Sequence, residues 1–325
     1  MLAGYIARRV FYGFVVILAV LVLNFVLMNL APGNPIQMIG LETGISNPEY
    51  VQYMIKRWGL DQPLYVRLGL YIWNVLHGDL GISYRYAEPV TSLIFERLPA
   101  TLMITVPSIL LAFVLGTLLA SLSLWEPGGA LDAALTTMSM AFYSAPAFWL
   151  GIVLMNVFSV NLKVLPSTGM VSSDLVGQEG SLAYYLDVAK HAILPITTLT
   201  LGMYPAYFRL VKGVMGDQLA EDYVLALRAK GIPKFAILYR HVLRNALLPA
   251  ITLLGIQMGF AFAGAAVVEN VFAWPGIGRL LLDAVSARDY PLIEGIFVFV
   301  TTMVVVANIV TDIAYGFVDP RIRRR

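Results

Sequence analysis

The residues that could do chemistry are few and far apart. His77, His191 and His241 are the three histidines. No two of them fall at the H-x-x-x-H or H-E-x-x-H spacing that turns two ring nitrogens of one helix toward a metal. Cysteine is absent, which removes thiolate nucleophiles, thiolate metal sites and disulfides. No Gly-Lys dipeptide occurs, so there is no phosphate-cradling G-x-x-x-x-G-K-[ST] loop. No G-x-S-x-G elbow is present either. The carboxylates Glu269, Glu294 and Asp312 fall at the ends of long apolar runs, where side chains cap or snorkel, and not at their centres, where a proton relay would need them. The expectation is a chain that is not an enzyme, with no catalytic residue and no cofactor or metal of its own.

The elements around these residues explain why. Of 325 residues, 59% are apolar and 13% charged, against about 45–50% and about 25% in a soluble domain. The mean hydropathy is +0.76. So few charges cannot clothe a water-facing surface. This excludes an ordinary soluble protein, a disordered chain and a nucleic-acid binder. Long stretches lack Asp, Glu, Lys and Arg altogether: Val10 to Leu41, Leu98 to Trp125, Ala133 to Leu162, His191 to Phe208, Asn245 to Val268 and Gly295 to Thr311. A spanning helix needs about 20 apolar residues. The chain therefore reads as an all-α integral membrane protein with six transmembrane helices, near 10–30, 98–124, 134–160, 192–212, 247–270 and 292–316. The runs do not alternate apolar and polar residues, as barrel strands would. The first run is too long for a signal-peptide core of about 7–15 residues and is read as a retained span.

Lysine and arginine set the orientation. The short segments assigned to the inside include Arg8, Arg9, the cluster from Arg209 to Arg244, and Arg321 to Arg325. The short outer loops hold only Lys163, Lys190, Arg279 and Arg288. The remaining basic residues lie in the long 31–97 loop, which is long enough to escape the positive-inside rule. Both termini are expected to be cytoplasmic. The turn between spans two and three, Glu126 to Gly129, needs no basic residue to form.

The 31–97 segment opens with Ala-Pro-Gly-Asn-Pro (Ala31 to Pro35) and carries two helix-like stretches. One has Tyr50, Met54 and Trp58 on one face; the other runs from about Tyr65 to Leu76. It is either an external cap packed on the spans or a docking surface for an external partner. The 213–246 segment is the most polar on the inner side. Its pattern predicts a helix from Gln218, capped by Asp217, with Leu219, Tyr223, Ala226 and Leu227 on one face. Gly231 and Pro233 stop it, and a second helix runs from Lys234 to Arg244. On pattern alone this is an amphipathic interfacial helix or a docking lever. The fifth span carries Gly255-Ile256-Gln257-Met258-Gly259, then Phe262, Ala263 and Gly264. These small residues suit either close helix packing or a pathway helix, with Gln257, Met258 and Phe262 near the gate.

The motifs of the inner segment also resemble a known family. Glu221-Asp222-Tyr223-Val224, Arg228-Ala229-Lys230-Gly231 and Arg240-His241-Val242-Leu243-Arg244-Asn245-Ala246-Leu247-Leu248-Pro249 are similar to the coupling loop of ABC-importer permeases. The narrower likeness is to the dipeptide, oligopeptide and nickel permease group, in its longer-looped partner. Tyr5 to Arg9, Pro32 to Pro35, Gly59 to Leu64, Gly78 to Gly81, Arg97 to Leu102, Glu269 to Gly278 and Asp319 to Arg321 follow in the same order. The usual Glu-Ala-Ala of the family reads Leu225-Ala226-Leu227 here.

The resemblance implies a type I ABC importer permease fold in the cell (inner or plasma) membrane. Its parts would be an N-terminus and first span (1–30), an extracytoplasmic loop or cap (31–97) and a permease core (98–325). It implies one half of a heterodimeric pathway for peptides, or for oligosaccharides or nickel chelates. A second permease, two ATPase subunits carrying ATP and magnesium, and an external solute-binding protein would complete the system. Glu221, Asp222, Tyr223, Ala226, Arg228, Lys230 and Gly231 would couple to the ATPase. In that role Tyr223 and Ala226 would fill its groove, Arg228 and Lys230 would pair with acidic groups, and Gly231 would allow the elbow. Glu269, Trp274, Pro275 and Gly276 would form the external loop after the fifth span. The competing readings are a secondary transporter, for which internal repeats and midplane charges are wanting, and a membrane-embedded enzyme, for which there is no catalytic set.

Overall fold

The computed structural model describes residues 2–30 and 62–318. The helix-like stretch from Asn47 to Trp58, most of the Gly59 to Leu64 motif and the tail from Asp319 lie outside the described residues, as does the side chain of Asp312.

Helices make up the regular structure of the described residues: α1 (Leu2–Leu30), α2 (Leu64–Leu76), α3 (Val90–Ser123), α4 (Ala130–Ser144), α5 (Ala147–Met155), α6 (Leu182–Leu219) and α7 (Asp222–Ala229). Then come α8 (Lys234–Ala263), α9 (Ala266–Val271), α10 (Ile277–Ser286) and α11 (Tyr290–Val318). A lone antiparallel bridge pairs Ile82 with Pro89. The chain divides into two compact units, one of residues 1–99 and 277–325, the other of residues 100–276.

In the first unit α11 packs along α1 and α10, and α2 packs on α1. A Cβ on Gly13 would stand 2.8 Å from Val305 and 3.0 Å from Ile309, so the missing side chain is what lets α1 lie close to α11. The first turns of α3 bury Val90, Leu93 and Ile94 against Ile277, Leu280, Leu292 and Ile296. Asp289 organises this unit's polar chain. It is fully buried and caps α11 by accepting from Leu292 N at 3.3 Å. It also accepts from Tyr84 N and Arg85 N, both at 3.1 Å, and from the Ser83 hydroxyl. One carboxylate thus satisfies a helix start and a loop 204 residues distant in sequence.

In the second unit α6 is the central pillar, touching α4, α5, α8 and α9. Tyr204, Tyr207, Phe208, Val211 and Met215 of α6 bury into one cluster with Ala112 and Ala120 of α3 and with Ile237, Leu238, Val242 and Ala246 of α8.

Among the described residues, four helices are long and apolar enough to cross a membrane: α1, α3, α8 and α11. The third expected span departs from expectation. It is broken into α4 and α5, bent by 103° at Ala145-Pro146, because Pro146 lacks the amide that would continue the ladder and pushes Ala145 into extended backbone. The fourth, α6, is 38 residues long but is not among those whose composition alone would carry it across. His191, Thr197, Thr198, Thr200, Pro195 and Pro205 dilute it. Most of these lie on its buried side, where neighbouring helices and not lipid meet them. The fifth ends sooner than expected: α8 stops at Ala263, Gly264 takes φ +75°, and α9 starts afresh.

Candidate functional site

The segment following α6 is an elbow between two helices. The expected cap at Asp217 is not formed, because α6 runs through it to Leu219. The short helix α7 begins instead at Asp222, with Glu221 in the extended N-cap position. Its C-terminus closes as sequence predicts. Gly231 has φ +73°, Gly231 N donates to Arg228 O at 2.9 Å, and Ile232 N donates to Leu227 O at 3.2 Å. That pair of bonds is the Schellman closure, which needs a left-handed residue at the glycine position. Pro233 then takes the N-cap position, in extended backbone, and α8 starts at Lys234.

The two sides of α7 differ. Val224 is buried, and Tyr223 and Leu227 pack against the same core cluster. Tyr223 turns inward: its hydroxyl donates to Gln218 Oε1 at 3.1 Å, and Asn245 Nδ2 donates to that same oxygen at 2.8 Å. Glu221, Asp222, Leu225, Ala226, Arg228, Lys230 and Gly231 are exposed, Leu225 at 67%. The free face is therefore Leu225 and Ala226 flanked by charge, and Tyr223 fixes α7 to the ends of α6 and α8.

A half-buried ion pair braces the same end of the unit. Lys212 of α6 bonds to Asp132 at the start of α4 and to Thr136 Oγ1 at 2.7 Å. Asp132 also accepts from Ser123 Oγ at 2.5 Å and Gly128 N at 3.0 Å. Sequence patterning gives no hint of this knot, since its members come from three separate helices and a turn. Nearby, a cavity of about 440 Å³ is lined by Leu124, Leu219, Arg228, Lys234 and Ile237.

The resemblance assigns Glu269, Trp274, Pro275 and Gly276 to the external loop after the fifth span. In the structure this segment forms a knot that buries Glu269, Trp274 and Gly276. Glu269 and Trp274 are fully buried. Glu269 Oε1 accepts from Thr101 Oγ1 at 3.1 Å and from Ala265 N at 3.2 Å. Trp274 donates from Nε1 to Ala100 O at 2.7 Å and from its backbone amide to Glu269 O at 2.7 Å. A Cβ on Gly276 would come within 2.4 Å of the Glu269 carboxyl carbon, so glycine is what admits the carboxylate. These contacts hold the α8–α9 corner onto α3 at Ala100 and Thr101, and the polarity of Glu269 is consumed there. Gln257, Met258 and Phe262 are half-buried along the end of α8.

At the other end of α6, Asp187 accepts from Ser172 N at 2.7 Å and Ser172 Oγ at 3.1 Å, and lies 3.4 Å from the His191 ring. Burial alone would raise this carboxyl. The two serine bonds, with the charges of His191 and Lys190, outweigh that and hold it below the usual carboxylate range.

The described residues thus build long apolar helices, with a short helix and a glycine elbow between α6 and α8. Residues 108–324 match the family described as the binding-protein-dependent transport system inner membrane component, and residues 1–105 match the N-terminal region described for the same kind of component. The chain belongs to this family and is a multi-pass inner-membrane permease component. It is 34% identical to the dipeptide transport system permease protein DppB of Escherichia coli K12 over 342 residues. It is 36% identical to the di/tripeptide transport system permease protein DppB of Pseudomonas aeruginosa over 339 residues. With the oligopeptide transport system permease protein AppB of Bacillus subtilis it shares 36% over 322 residues. In each case the match covers 99% of both chains.

Proposed function

We propose that this chain is one of two permease subunits of an ATP-driven importer of di- or oligopeptides. The observation that carries the proposal is the likeness over 99% of the chain to three permeases named for peptide transport. In this reading the polypeptide crosses the membrane six times with both termini in the cytoplasm, the broken α4–α5 pair and α6 supplying the third and fourth passages. Residues 98–325 form the core of the pathway half, and 31–97 is the outer loop. A second permease supplies the other half. An external binding protein delivers the peptide, and two ATPase subunits bind ATP and magnesium.

The elbow at α7 is then the coupling lever. Leu225 and Ala226 enter a groove on the ATPase, while Glu221, Asp222, Arg228 and Lys230 meet its charged rim. Tyr223, bonded to Gln218, and the Lys212–Asp132 pair stiffen the joint, so that movement of α7 passes to α6 and α4 as rigid-body displacement. Gln257, Met258 and Phe262 remain our assignment for the gate at the end of α8. The test is reconstitution. Replacing Ala226 by Trp should leave ATPase activity while uptake falls by an order of magnitude or more. Uptake at the unmodified rate would reject the lever.

A further inference from the structure

The cavity beside the elbow sets two cations against an apolar wall. It measures about 440 Å³, and its lining includes Leu124, Pro127, Leu219 and Ile232 together with Arg228 and Lys234. No carboxylate is among the lining residues. Arg228 stands in the last turn of α7 and Lys234 opens α8, so the closure at Gly231 brings one charge from each arm of the elbow to the same cavity. Among the described residues neither cation has a carboxylate partner; the ion pairs join Arg97 to Glu96, His191 to Asp187 and Lys212 to Asp132. Lys234 instead stands over the Trp125 ring, with Nζ 5.4 Å from the ring centre. Two such cations on one cavity suit an anion with several acceptor oxygens, and phosphate is the group that arginine and lysine bind best together.

The wall narrows the class of anion. A small inorganic ion would leave the apolar lining bare and give up its own hydration against it. An anion carried on an apolar body meets both halves of the cavity. Its position narrows the class again. The uncharged run of α3 ends at Trp125, and the apolar helix α8 begins at Lys234. Trp125 is 41% exposed and Phe235 62%, and Tyr239 stacks on Phe235 at 4.6 Å. Aromatic rings beside lysine and arginine at the ends of two spans mark a membrane–water boundary. Phospholipid headgroups lie at that level, and basic pockets between spans are where anionic headgroups bind.

We propose that this cavity holds the headgroup of an anionic phospholipid. Arg228 and Lys234 take its phosphate, and its glycerol and first methylenes cover Leu124, Pro127 and Ile232. One bound lipid then ties α7 to α8 across Gly231. Of the charges assigned to the ATPase rim, Arg228 alone lines the cavity, so the test turns on Lys234. The proposal needs the ends of α3 and α8 to lie at the membrane boundary; it does not need the solute to be a peptide, and uptake is not among its readouts.

The assembled transporter is taken from nanodiscs of equal phosphatidylcholine and phosphatidylglycerol, and the lipids it keeps are counted by native mass spectrometry. The expected result is retention of phosphatidylglycerol over phosphatidylcholine. Lys234→Gln should weaken the first phosphatidylglycerol about fivefold, the effect of one basic residue at a lipid surface, and Lys234→Arg should keep it. Arg240→Gln removes the same charge from an exposed residue outside the cavity and should bind as the parent does. No preference for phosphatidylglycerol in the parent, an unchanged affinity in Lys234→Gln, or an equal fall in Arg240→Gln overturns the proposal. Release of the lipid by excess inorganic phosphate would show a site for free anions and overturn the lipid as occupant. Should Lys234→Gln fail to assemble, a phosphatidylglycerol with a photoreactive headgroup is crosslinked to the parent: attachment within residues 124–127 or 228–238 supports the proposal, and attachment only elsewhere overturns it.

Discussion

Gly116 tests the packing of the second unit more sharply than any large residue does. It lies where α3 crosses α6. A Cβ there would stand 2.6 Å from Tyr207 Cβ, 2.7 Å from Tyr204 O and 2.9 Å from Phe208 N. Ordinary contact begins near 3.4 Å, so one methyl requires a shift of roughly 0.5–0.8 Å. Two of the three atoms are backbone of α6, and the residues that own them are at most 1% exposed. A rotamer change cannot absorb the clash; the helices must separate. Overpacking of this kind costs about 1–3 kcal/mol, while alanine in place of glycine within a helix returns about 0.5–1 kcal/mol. The net for Gly116→Ala is a loss of about 1–2 kcal/mol, or roughly 2–8 °C in Tm at the sensitivity of a domain of this size. Gly202 on the same α6 has nothing within 4 Å of its Cβ position. Gly202→Ala should therefore hold or slightly raise Tm. Thermal unfolding in nanodiscs, followed by intrinsic fluorescence, reads both. A Gly116→Ala protein as stable as the parent, or an equal fall for Gly202→Ala, would refute the argument.

Other substitutions probe other joints. Asp289→Ala removes a helix cap and the buried carboxylate that accepts from Ser83, Tyr84 and Arg85, which should cost about 2–4 kcal/mol by the same thermal assay. Gly231→Val should uncouple ATP hydrolysis from uptake, since a β-branched residue resists positive φ, whereas Gly231→Asn, which tolerates that region, should keep coupling; the ratio of the two reconstituted rates decides. Asp187 has a folded pKa below its unfolded value near 3.9, so its contribution is complete above that pH and is lost as pH falls through the folded pKa. Tm measured from pH 7 down to pH 3 should accordingly fall more steeply in the parent than in Asp187→Asn.

How much of this was legible in the sequence depends on how local each feature is. The uncharged runs mark α1, α3, α8 and α11, because a span is a property of one stretch of chain. The elbow is legible for the same reason: glycine followed by Pro233 after a helical pattern has few other readings. The break at Pro146 hides inside an uncharged run, since counting charges is blind to a proline that removes one amide. Asp217 has the chemistry of a cap, but the tertiary packing of α6 continues the helix past it. Glu269 reads as a span-end carboxylate that caps or snorkels until Thr101, 168 residues away, is seen to hold it. Periodicity puts Tyr223 and Ala226 on one apolar face, but only Tyr223 is held inward, by Gln218 and Asn245. Features fixed by two distant segments carry no signature in either one.

The central claim is that this chain is half of a conduit driven by subunits it does not contain. Its most direct test is peptide uptake into proteoliposomes, with the chain alone and with a second permease, the ATPase pair and the binding protein added stepwise. The account predicts accumulation only when all are present and ATP is supplied. Uptake by this chain alone under an ion gradient, or ATP hydrolysis by the purified chain, would contradict it.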